Sequence, residues 1–115
     1  MPLTRLYPSA PTLSRITLGS SNFARENDAA TAFILMDHAQ KLGVTLFDTA
    51  ATYSAGASEL VVGAWLASRR PEAGRLMIAT IIYPPYTPAA MEAAVTASAA
   101  RLGVETIDLL YLHKW

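Results

Sequence analysis

Phe47-Asp48-Thr49-Ala50-Ala51-Thr52-Tyr53-Ser54-Ala55-Gly56-Ala57-Ser58-Glu59-Leu60-Val61-Val62-Gly63 carries an acid off the end of an apolar run, then a phenol, then a glycine-bounded helix start. Leu46 and Phe47 have the character of a strand, whereas Val61, Trp65 and Leu66 recur at helical spacing. The stretch reads as strand, loop, helix, with Asp48 and Tyr53 on the loop. The same unit recurs on either side. Apolar runs begin near Ile16, Thr45, Leu76 and Ile107, and the last three follow Gly43, Gly74 and Gly103. That period is close to the ~30 residues of a βαβ unit, in which parallel strands are joined by helical crossovers.

Between the strands the stripes are helical. Ala29, Phe33, Met36, Gln40 and Gly43 mark the first, Val61, Trp65 and Leu66 the second, and Met91, Ala94, Val95, Ser98 and Leu102 the third. Asn27 or Asp28 can cap the first helix and Ser58 the second. Thr87 before Pro88 supplies a cap with proline at the first helical position, and Gly103 can close the third helix. The chain is therefore expected to run β-α-β-α-β-α-β from residue 16 onward, after an N-terminal segment over residues 1–15. Leu76 to Ile82 and Ile107 to Leu112 are almost continuously apolar, as strands covered on both faces should be. This fixes an α/β class with a parallel sheet. A doubly wound sheet would share the pattern, but no GxGxxG or GxxxxGK[ST] occurs, and Asp48 and His113 fall at strand C-termini with Tyr53 just beyond, the rim where (β/α)8 barrels keep their chemistry.

The 115 residues are well short of the ~250 of a complete barrel, so about the first four strands, half a barrel, are expected. Nine basic and nine acidic residues balance, which directs the chain to neither nucleic acid nor an anionic membrane. The absence of cysteine excludes disulfides and thiolate metal sites, and no metal site is expected. No apolar run reaches signal or membrane-spanning length, and the expected location is the cytoplasm.

The Asp48–Gly63 loop resembles the signature of the aldo-keto reductases, nicotinamide-dependent carbonyl reductases built on a (β/α)8 barrel, and Tyr111-Leu112-His113 resembles that family's next catalytic strand. The resemblance implies hydride transfer from NADP(H) to a small carbonyl compound. It casts Tyr53 as proton donor, His113 as the group that orients the carbonyl, and Asp48 as the anchor of a lysine that lowers the Tyr53 pKa. Ile81 stands at that lysine position, within Ile78-Ala79-Thr80-Ile81-Ile82. Strand alternation puts Met77, Ala79 and Ile81 on one face, so the Ile81 side chain should point where the ammonium would stand. Lys114 follows His113 directly and should face the opposite way. Gly19, Ser20 and Asp48 are the cofactor contacts implied for this part of the fold. The resemblance also implies a hairpin under the barrel from the N-terminal segment, against which Pro8 and Pro11 argue.

Three functions fit these residues: a partial and inactive reductase form, a noncatalytic binding or assembly module, or a non-redox reaction at the same rim. A half barrel leaves its outer strands unpaired, so a homodimer or another partner completing the barrel is expected. Blander roles suit other residues. His38 reads as surface, Trp65 as core, Glu59 as an acid favoured by the helix dipole, and Tyr83 and Tyr86 as exposed residues of a proline loop or the lip of a pocket.

Overall fold

A computed structural model describes residues 3–72 and 76–114. Gly74, the expected glycine ahead of the third parallel strand, lies outside them. The chain forms β1 (Leu3–Thr4), β2 (Leu13–Ser14), β3 (Leu18–Gly19), α1 (Ala29–Lys41), β4 (Leu46–Asp48), a 3-10 turn (Tyr53–Gly56), α2 (Ala57–Arg69), β5 (Met77–Ile82), α3 (Pro88–Leu102) and β6 (Leu109–Leu112). The last four strands form one parallel sheet in the order β3-β4-β5-β6, as the βα spacing predicts.

Alternation divides the sheet into two faces. Phe47 and Ile78 turn outward onto the helices and share a core with Met36, Val62, Trp65 and Leu102. Leu46, Met77 and Ala79 turn inward and pack with Leu13 and Leu109. The helices therefore cover one face, and the N-terminal segment sends Leu13 to the other.

That segment corrects an expectation. Despite Pro8 and Pro11, β1 and β2 pair antiparallel, Leu3 with Ser14 and Thr4 with Leu13. The pairing is short enough to leave both prolines in the connection, where the Arg5 guanidinium donates to Pro8 O and Ala10 O. The hairpin is tied to the start of β4 by a reciprocal exchange: Ser14 N donates to Thr45 Oγ1 at 2.8 Å and Thr45 N to Ser14 Oγ at 2.9 Å.

The helix caps agree with the sequence at three of four ends, Gly103 closing α3 at φ +65°. Asp28 accepts from Thr31 N, and Thr87 accepts from Ala90 N with Pro88 at the first helical position. Ser58 does not cap α2: the cap position is Gly56, at φ +94°, and Ser58 lies inside the helix facing the sheet. The α3 stripe is as expected, with Ser98 and Leu102 buried, whereas the buried faces of α1 and α2 are rotated from theirs. In α1 they are Ala32, Met36 and Ala39, while Ala29 and Gln40 are exposed. In α2 the buried set is Ser58, Glu59, Val62, Gly63 and Trp65. A side chain at Gly63 would put its Cβ 2.5 Å from Arg101 O, so α2 and α3 touch backbone to backbone there. The strand β6 is less covered than its apolar run suggests: Leu110, Tyr111 and Leu112 are exposed, as befits the outer strand expected of a half barrel. Among the described residues no helix is long and apolar enough to cross a membrane.

Candidate active site

The register that puts Leu46 on the inner face puts Asp48 there too, and Ile81 follows Met77 and Ala79 on the same face of β5. Leu46, Asp48 and Ile81, together with Thr17 and Tyr111, line a cavity of about 260 Å³. Asp48 and Ile81 thus meet as the alternation predicts. Asp48 Oδ1 is shielded from solvent and has no hydrogen-bond partner. Burial pushes its carboxyl above the ordinary range, because water is withdrawn and no cation replaces it.

Tyr53 opens the 3-10 turn, anchored by its N–H to Ala50 O. Ser54 and Ala55 follow at φ +50° and +54°, a left-handed conformation costing non-glycine residues roughly 1–2 kcal/mol each. Surrounding bonds impose it: Ser54 Oγ donates to Phe23 O at 2.9 Å and Ala55 N to Thr52 O. The sharp reversal this creates lets Tyr53 remain near Asp48 while α2 departs. Burial raises the phenol above its ordinary value, and the negative Asp48 raises it further. Both effects oppose proton release.

His113 stands just past β6, its backbone N–H bonded to Ile82 O. Its ring stacks on Tyr83, centroids 4.2 Å apart. Lys114 Nζ lies 5.8 Å from the centre of the same Tyr83 ring and makes no hydrogen bond to Asp48 Oδ1. Tyr86 accepts from Lys114 N and donates to Ile82 O, joining the proline loop to the end of β6. Of the residues implied for a cofactor, Gly19 has open space where a side chain would stand. Ser20 is buried, and its Oγ lies 2.9 Å from Ser58 Oγ, in a hydroxyl cluster with Thr49.

One polar residue does more than the helix-dipole role its position suggests. Glu59 is fully buried; its Oε1 accepts from Thr80 Oγ1 and its Oε2 from Arg101 Nε, each at 2.6 Å. Arg101 also donates to Ser98 Oγ at 3.2 Å. Thr80 precedes Ile81 and faces the helices, so this network grips β5 from behind the rim. The signal for it was a lone hydroxyl in the apolar run Ile78–Ile82.

Residues 15–115 match the family model described as Aldo/keto reductase family. The chain belongs to that family. An aldo-keto reductase of Bacillus halodurans, in its holo form, superposes with a TM-score of 0.81 at 28% identity, over 97% of this chain and 40% of that one. A Klebsiella pneumoniae aldo-keto reductase in complex with NADPH superposes with a TM-score of 0.75 at 27% identity, over 89% of this chain and 36% of that one. Among curated relatives, norsolorinic acid reductase B of Dothistroma septosporum is 32% identical over 96% of this chain and 34% of its own length. The uncharacterized oxidoreductase YrpG of Bacillus subtilis is 36% identical over 74% of this chain and 27% of its own length. The chain thus spans roughly a third of these curated relatives. As an aldo/keto reductase chain it supplies the α/β units of part of the barrel, and Ile81 lies on the rim face of its third parallel strand.

Proposed function

We propose that this chain forms part of an NAD(P)H-dependent carbonyl reductase rim whose proton-donor chemistry is disabled, leaving reduction of small carbonyl compounds at background. The observation that carries this reading is the unpartnered Asp48 Oδ1 on a cavity shared with Ile81. A phenol has an ordinary pKa of ~10 and serves as a general acid only when a nearby cation lowers it. Here burial and Asp48 act on Tyr53 in the opposite direction. His113, braced by Tyr83, would donate to the carbonyl oxygen. Gly19 and the Asp48 carboxyl on the cavity wall fit the ribose edge of a dinucleotide, whereas the Ser20 hydroxyl is engaged with Ser58 and does not. The nicotinamide, when bound, supplies the hydride.

NADPH oxidation by the purified chain with simple aldehydes is the test. The expected rate is at background for the wild type, and Ile81→Lys alone is expected to leave it there, because Gly19 and Asp48 reach only one edge of the cofactor. Robust cofactor-dependent turnover by either protein would overturn the reading. The unpaired edges of the sheet and the exposed Leu110, Tyr111 and Leu112 support a second reading, a binding or assembly module. Light scattering on the same preparation should then give a dimer or larger, and a stable monomer would count against it.

A further inference from the structure

Asp48 Oδ1 is alone among the described residues as a buried side-chain polar atom without a hydrogen-bond partner. Four cations of the described residues are committed elsewhere. Arg101 is held by Glu59, Arg69 by Asp37, Arg25 by Glu26, and Lys114 rests against Tyr83. A carboxylate withdrawn from water is costly unless a donor, best a charged one, is brought to it. The cavity beside it, about 260 Å³, has room for more than water, whose share of the liquid is roughly 30 Å³. Its lining is mixed: Leu46 and Ile81 offer hydrocarbon, Thr17 and Tyr111 offer hydroxyls, and Asp48 offers the charge.

A complementary ligand has a compact positive head with N–H donors and a short hydrocarbon tail. We propose that this cavity binds small primary alkylammonium ions, with the ammonium donating to the Asp48 carboxylate and the alkyl chain lying against Leu46 and Ile81. A quaternary ammonium has the charge but no donor, an alcohol has a donor but no charge, and a carboxylate is repelled. Isoleucine shapes such a site where a longer polar side chain would fill it. The proposal does not depend on hydride transfer at the rim.

Calorimetric titration of the purified chain with n-propylammonium chloride tests it, alongside n-propanol and tetramethylammonium chloride. Saturable n-propylammonium binding is expected with a dissociation constant on the order of 1–10 mM, as suits so few heavy atoms. The other two ligands should bind at least about tenfold more weakly, since each lacks the charge-assisted hydrogen bond. Asp48→Asn should weaken n-propylammonium by a similar factor. Ile81→Lys should abolish its binding by placing an internal ammonium in the same space. Equal affinity for n-propanol, undiminished binding by either variant, or no saturation by n-propylammonium would overturn the proposal.

Discussion

Two carboxylates of the same strand–loop–helix unit, Asp48 and Glu59, end on opposite sides of β5 in opposite states. Glu59 is the more deeply buried, yet both of its oxygens are satisfied, one by Thr80 and one by Arg101. Asp48 is only half-buried, yet its Oδ1 has no partner. Thr80 and Ile81 are consecutive, so alternation along one strand sends a hydroxyl to the first acid and a hydrocarbon to the second. What burying a charge costs is set by its partner more than by depth. The helix-facing side of the sheet carries its own cation, and the rim-facing side does not.

The largest effect expected from this contrast is on Glu59. Glu59→Ala strands the Arg101 guanidinium, whose side chain is 28% exposed, and leaves Thr80 unbonded, and it should cost about 3 kcal/mol in urea denaturation. A loss below about 1 kcal/mol, the usual range of surface pairs, would mean that the buried network is no different from an exposed one.

A smaller effect of opposite sign is expected at Asp48. Burial raises its carboxyl pKa in the folded chain, so the native state holds that proton more tightly than the unfolded state. Stability contributed by this group therefore falls as pH rises from the unfolded to the folded value, and the penalty is complete above both. Asp48→Asn should raise Tm by a few degrees near neutrality and leave it unchanged well below the ordinary carboxylate range. Thermal melts across that range check the sign. Destabilisation near neutrality would show that Asp48 has a partner after all.

The parallel order, the loop carrying Asp48 and Tyr53, and the inward direction of Ile81 were legible in the sequence, because each follows from local periodicity. What escaped depends on contacts between distant segments. Glu59 and Arg101 are 42 residues apart, and they meet only because α2 and α3 approach to backbone contact at Gly63. Ser58 reads as a cap by position, but the packing of α2 on the sheet turns its hydroxyl toward Ser20 and Thr49. The apolar run of β6 reads as a doubly covered strand, and its exposure follows from its place as the outer strand of the half barrel, which chain length and not periodicity implied. The hairpin survived its prolines because the pairing needs only Leu3, Thr4, Leu13 and Ser14.

The central claim is that Ile81 occupies the place of a cation that Asp48 lacks. A double-mutant cycle of Ile81→Lys and Asp48→Asn, read by urea denaturation near neutral pH, tests it most directly. Lysine introduced opposite Asp48 should be tolerated or stabilising, and the same change in the Asp48→Asn background should be destabilising, with a coupling energy of about 1–3 kcal/mol. Additivity within about 0.5 kcal/mol would mean that the two positions do not sense each other across the cavity, and would contradict the account.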